Sequence, residues 1–282
     1  MANTSNTNNT VLVPIDFSEV SVNALQHAVA VANKYGNDIT LLHIEDDNSN
    51  AESEMDALVN QHGAPNHVKI NTMTKSGNVS ETISAVAEAG NYEMIVMGSN
   101  GPKGWKSFMG SNASKVVAEA ACPVIVVKEN EPFSGYKNIV MPLDLSVESK
   151  QKVNWAVHLS KKFDATIHLV YEEQTDAFSK VGIKGNIHQV TDVLNENNVK
   201  YDLHQLDDKT YPGKLYEDSL QYADATNADL VLVVSHSKDS IMDYVLKSDA
   251  ENIVNKSQHA TIMVVNPDLA GYTFDSTAFS FE

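Results

Sequence analysis

Val13-Pro14-Ile15-Asp16-Phe17-Ser18 recurs as Met141-Pro142-Leu143-Asp144-Leu145-Ser146, 128 positions further along the chain. Each copy closes an almost continuously apolar run with an aspartate and then a serine. That is how a strand buried on both faces reads when a helix N-cap follows it. The same offset holds through the next segment, where Leu25, Ala28, Val29 and Ala32 map onto Val153, Ala156, Val157 and Ser160. Both sets keep the i, i+3, i+4, i+7 spacing of an amphipathic helix. Ile39 and Leu41 then map onto Ile167 and Leu169. Near the end of each half, Met94–Met97 matches Leu230–Val233, and Val124–Val127 matches Ile262–Val265, by which point the offset has grown to 138. Insertions in loops produce such a drift, and the order of elements is kept, so the chain reads as a duplication.

Each half alternates strands and helices. The first predicts strands near 10–15, 39–45, 67–74, 93–98 and 123–128; the second near 138–143, 166–172, 199–206, 229–235 and 261–266. Runs such as VLVPI, MIVMG and VIVV fit a parallel sheet covered by helices on both sides. The expected fold is therefore α/β: two tandem doubly wound, Rossmann-like, five-stranded parallel sheets related by internal duplication. The first domain is expected over 10–130 and the second over 136–267, with a join near 129–137 where Pro132 and Gly135 interrupt both periodicities. Residues 1–9 read as a short polar lead-in without the features of a secretory signal, and 268–282 as an aperiodic tail.

The 282 residues carry a formal net charge of −17, which argues against nucleic acid or an anionic membrane surface as partner. No apolar run approaches the roughly 20 residues of a membrane span. The single cysteine, Cys122, precedes Pro123 and a VIVV run and reads as a small buried hydrophobe in a chain with no internal disulfide, which suits the cytoplasm.

In such sheets ligands bind beyond the carboxyl ends of the strands, at the point where the chain reverses its winding. The fourth strand of the first half runs into Gly98-Ser99-Asn100-Gly101, and Gly110-Ser111-Asn112 opens the next helix. Glycines there allow backbone N–H groups to approach phosphate oxygens, and a helix start favours an anion. Lys103 and Lys106 could add charge.

This Gly-x-x-Gly, spacer, Gly-Ser pattern resembles the nucleotide loop of the universal stress protein family. Pro14-Ile15-Asp16-Phe17-Ser18-Glu19 resembles the end of that family's first strand, Leu41-Leu42-His43-Ile44 its second strand, and Ala121-Cys122-Pro123 with the following VIVV its last. The resemblance covers both halves and implies a tandem member. It further implies ATP, with Mg²⁺, as ligand of the first half. Pro14, Ile15, Asp16 and Ile44 would face the adenosine part, and Met97, Gly98, Ser99, Asn100, Gly101, Gly110, Ser111 and Asn112 would face the ribose and phosphates. The spacer from Pro102 to Met109 is eight residues where the family usually has nine. Single-domain members pair as dimers, which implies that the two halves pair within one chain through Val124–Val127 and Ile262–Val265; a homodimer is also possible.

The second half departs from the pattern. Val234, Ser237 and Lys247 stand where the first half has Gly98, Gly101 and Gly110, so its site is expected to be dead for ATP and Asp144 to be a relic. Other chemistries lack their signatures. Walker, GxGxxG and GxSxG motifs are absent, Asp16 lacks the acidic neighbours of a Mg²⁺ site, and no base flanks Ser99. The ten histidines form no spaced ligand set in sequence and read as core or surface residues, so no metal is expected. Two functions remain: a non-enzymatic, ATP-binding stress-response or signalling protein, or a nucleotide-free interaction scaffold.

Overall fold

The computed structural model describes residues 10–45, 50–90, 92–99, 112–128, 133, 135–146, 148–206, 215–234 and 261–266. The first half contributes strands β1 (Thr10–Ile15), β2 (Asp38–Ile44), β3 (Ile70–Lys75), β4 (Met94–Ser99) and β5 (Val124–Lys128). The second contributes β6 (Asn138–Pro142), β7 (Thr166–Glu172), β8 (Lys200–Leu206), β9 (Leu230–Val234) and β10 (Thr261–Val265). Between them lie helices α1 (Glu19–Tyr35), α2 (Ala51–His62), α3 (Val79–Gly90), α4 (Asn112–Glu119), α5 (Glu148–Gln151), α6 (Val153–Phe163), α7 (Ala177–Glu196) and α8 (Leu215–Ala225).

The strands form one ten-stranded sheet in the order β3-β2-β1-β4-β5-β10-β9-β6-β7-β8. Each half is the expected parallel, doubly wound five-strand unit, and the two units are continuous rather than separate sheets. The join is antiparallel, with Val124↔Val264, Ile125↔Met263 and Val126↔Ile262 in register. A two-fold relation between the halves requires this antiparallel meeting of like strands. The pairing covers two edges that would otherwise expose unpaired backbone groups.

The local rules hold where the repeat predicted them. Ser18 caps α1, its hydroxyl accepting from the Ser21 amide at 3.4 Å, and Ser146 caps α5 by accepting from the Ser149 amide at 3.1 Å. The apolar stripe of α1 is buried throughout, as is its counterpart on α6. α1 ends at Gly36 with φ 77°, and the equivalent Asp164 takes φ 52° to close α6. β3 starts at Ile70 rather than 67 because the chain first turns through His67 at φ 57°. Cys122 is buried, and burial pushes its thiol up to about 12.

Two apolar layers flank the sheet, and each runs across both halves. On the α1/α6 side the layers meet in an aromatic seam. Tyr35 lies 4.7 Å from His158 and 6.1 Å from Phe163 between ring centres, and Tyr136 lies 5.0 Å from both Phe133 and Phe163. Beside it the buried Glu93 meets His158 Nε2 at 3.3 Å and accepts from the Asn37 amide.

Candidate crevice at the carboxyl ends of the strands

Sheet order places the ends of β2, β1 and β4 side by side, which brings Ile44, the Pro14-Ile15-Asp16 run and Met97-Gly98-Ser99 to one crevice. Asn112 is the first residue of α4, the helix after β4. Asn100, Gly101, Gly110 and Ser111 lie outside the described residues, as do Lys103, Trp105, Lys106, Ser237 and Lys247. The side chains of Ile15 and Met97 are buried in the apolar layers, so only their backbones are available to a ligand.

The turn from β1 into α1 is tightly organised. Phe17 sits at φ 63°, a conformation L residues avoid, and its ring packs 4.9 Å from His43. His43 Nδ1 is 3.0 Å from the Ile15 carbonyl oxygen. Asp16 accepts from the Ser18 amide at 3.1 Å and the Ser18 hydroxyl at 2.5 Å. Burial alone would raise its pKa; the bonds from Ser18 and Ser21 outweigh that and hold the carboxyl below its usual range. An ionised acceptor, exposed to solvent, is thus fixed at the mouth of the crevice.

Gly98 has a use that the phosphate-loop reading did not anticipate. A Cβ there would stand 2.5 Å from the Val20 carbonyl oxygen and 3.0 Å from the Ser21 amide. The glycine lets the first turn of α1 lie directly on the end of β4. The second half carries a side chain at this place. Val234 occupies the equivalent place, fully buried, and the helix after the first strand is broken into α5 and α6 at Lys152.

The second crevice is filled by the chain's own side chains. Asp144 accepts from the Ser146 amide at 2.8 Å, the Ser146 hydroxyl at 2.5 Å and the Tyr216 hydroxyl at 2.9 Å. Asn186 on α7 donates to the Asp144 carbonyl at 2.9 Å. Lys152, wholly buried where the first half has Ala24, directs Nζ to within 3.4 Å of the Ser149 hydroxyl. Burial pushes this ammonium down to about 8, against the opposing charge of Asp144. Burial would raise the Asp144 carboxyl, but Ser146, the Lys152 charge and Tyr216 together hold it low. Asp144, read from sequence as a relic, is the centre of a bonded polar cluster. Tyr216 was missed because its partner lies 72 positions away along the chain; Lys152 lies close to Asp144 in sequence, and the replacement of Ala24 by a lysine was the one signal visible in the repeat.

A duplicated, doubly wound α/β protein whose two equivalent aspartates differ in their surroundings, Asp16 exposed and Asp144 engaged by Tyr216, is the class that fold and site define. The universal stress protein family matches residues 7–128 and again 135–265, and the chain belongs to that family with its domain present twice. It is 26% identical over 142 residues to a universal stress protein of Methanocaldococcus jannaschii, covering 42% of this chain and 81% of the relative. It is 28% identical over 141 residues to universal stress protein G of Salmonella typhimurium, covering 42% of this chain and 98% of that one. Among solved structures, a universal stress protein from Archaeoglobus fulgidus superposes over 92% of this chain and 96% of its own, with TM-score 0.66 at 18% identity. No helix among the described residues is long and apolar enough to cross a membrane.

Proposed function

We propose that this chain is a cytoplasmic stress-response or signalling protein that binds one ATP, with Mg²⁺, in the crevice of its first half and does no substantial chemistry on it. The observation that carries the reading is the contrast between the two aspartates. Asp16 is exposed and bonded only to its own turn among the described residues, whereas Asp144 is engaged by Tyr216 and faces a buried lysine. A ligand can approach the first carboxylate but would have to displace three side chains to reach the second. In the first half Asp16, Pro14, Ile15 and Ile44 would hold the adenosine part. Gly98, Ser99, Asn100, Gly101, Gly110, Ser111 and Asn112, with the backbone of Met97, would hold ribose and phosphates. Mg²⁺ would offset phosphate charge in a protein of net charge −17. The two functional units are taken as 10–130 and 136–267. The sequence has no NTPase motif and no base flanking Ser99, so binding rather than turnover is the expected output.

Isothermal titration of the full chain with Mg-ATP tests this. One site per chain is expected, lost in Gly101→Val and kept in Ser237→Val. ATP at 100 times its Kd should stabilise the protein by about 2.7 kcal/mol. Two equivalent sites would refute the asymmetry, and no binding at millimolar ATP would favour the scaffold reading.

A further inference from the structure

The histidines show no grouping along the chain, but strand pairing brings two of them together with a carboxylate. β7 and β8 run parallel with His168 opposite Asp202 and Val170 opposite His204. Because side chains alternate along a strand, His168, Asp202 and His204 share one face. His168 Nδ1 lies 2.8 Å from Asp202 Oδ1, and His204 Nε2 lies 3.0 Å from the same oxygen. One donor atom from each of the three falls within 4.8 Å of the others. Tyr222 of α8 walls the cluster, its ring 4.8 Å from that of His204 and 6.5 Å from that of His168. The cluster sits at mid-strand, His168 and Asp202 third and His204 fifth in strands of 7 residues, rather than at the carboxyl ends where the crevice lies.

We propose that His168, Asp202 and His204 form a binding site for a divalent transition ion of the zinc class. Two imidazoles and a carboxylate with open positions are a common ligand set for such ions. A tetrahedral ion at about 2.0–2.1 Å from each ligand requires donors roughly 3.3 Å apart, so the two spacings to Asp202 need to open by only a few tenths of an ångström, and the third donor pair lies within 4.8 Å. The surroundings of His168 supply the second argument. Its Nδ1 faces Asp202 while its Nε2 faces Asn138 Oδ1 at 3.3 Å, so the two ring nitrogens have separate partners. An ion taking the Nδ1 lone pair and the carboxylate leaves the Nε2 proton with an acceptor already in place. Asn138 then holds the outer nitrogen, as the outer partners of metal-bound histidines do. Access is open, since the side chains of His168, Asp202 and His204 are 15%, 45% and 39% exposed on the edge strand and its neighbour. The first half has Thr40, Asn71 and Met73 at the equivalent register positions, so the site belongs to the second half alone.

The full chain, stripped with chelator and re-equilibrated with Zn²⁺, should retain one ion per chain after desalting, measured by mass spectrometry. Competition against a chromophoric chelator should give micromolar or tighter affinity. His168→Ala, His204→Ala and the near-isosteric Asp202→Asn should each weaken it by at least about 100-fold, and Asn138→Ala by about 10-fold. His188→Ala, which removes an exposed helical histidine paired with Asp192, should bind like the parent. Circular dichroism of each variant separates loss of the site from loss of the fold, and Asp202→Asn keeps the strand's volume should an alanine variant misfold. Wild-type affinity weaker than millimolar, or equal affinity in folded Asp202→Asn, overturns the proposal. So does a His168 ring that NMR shows as doubly protonated and unmoved by excess Zn²⁺, which would make the cluster a plain ion pair.

Discussion

The two halves begin from the same strand-aspartate-serine turn and arrive at opposite states. In the first, Phe17 is held at positive φ, α1 is unbroken, Gly98 touches its first turn, and Asp16 stays exposed. In the second, Leu145 is not in that strained region, the helix is broken at Lys152, and Tyr216, Asn186 and Lys152 close on Asp144. Strain kept at a site is typically offset by the structure around it and retained where a ligand uses it. Where nothing binds, the chain can relax and satisfy the buried groups internally. The shared Asp is therefore weak evidence of shared function; what surrounds it decides.

The comparison can be broken most sharply at Gly98. Gly98→Val installs in the first half the residue the second half carries. With a Cβ 2.5 Å from a backbone oxygen, the first turn of α1 must move. A loss of about 3 kcal/mol in chemical denaturation is expected, together with faster hydrogen exchange over residues 19–24 and loss of ATP binding. The reverse change, Val234→Gly, should not restore a site, because Lys152 and Tyr216 still fill it. Unchanged stability in Gly98→Val would mean that the break at Lys152 has another cause.

A second, smaller effect separates the halves by pH. The Lys152 pKa is lower in the folded state than its ordinary value, about 8 against 10.5, so between those values the unfolded chain binds more protons than the folded one. Stability must then rise with pH across that window. From this group alone the gain from pH 8 to pH 10 is roughly 2 kcal/mol. Above pH 10 the buried Tyr136 and the half-buried Tyr216, whose hydroxyls are pushed up, reverse the trend. Denaturation midpoints of the wild type should climb over pH 8–10, and those of Lys152→Met should climb less by that amount. Parallel curves would show that Lys152 is not buried as a titrating ammonium.

The smallest expected difference is at the outer edges. Lys69–Asp38 at 3.6 Å in the first half and Lys200–Asp164 at 3.0 Å in the second are both solvent-exposed pairs. Removing either lysine should change stability by less than about 0.5 kcal/mol, and less still in high salt. A larger loss at one edge alone would mean the halves differ there in a way the pairs do not express.

The sequence alone determined the duplication, the strand and helix order and the serine caps, all written in local periodicity or in repeated short strings. The pairing of the last strands was an implication of the family resemblance. The sequence also marked Gly98 and Asp16, and the loss of glycines in the second half. Tertiary structure decided what those marks mean. Tyr216 reaches Asp144 across 72 positions, Asn186 across 42, and His168 meets Asp202 across 34. None of these separations has a period or a motif, because the partners are chosen by how strands pair and which helix crosses which face. Gly98, read as a phosphate-loop glycine, is in the structure a packing glycine, since only the folded chain brings the first turn of α1 against it.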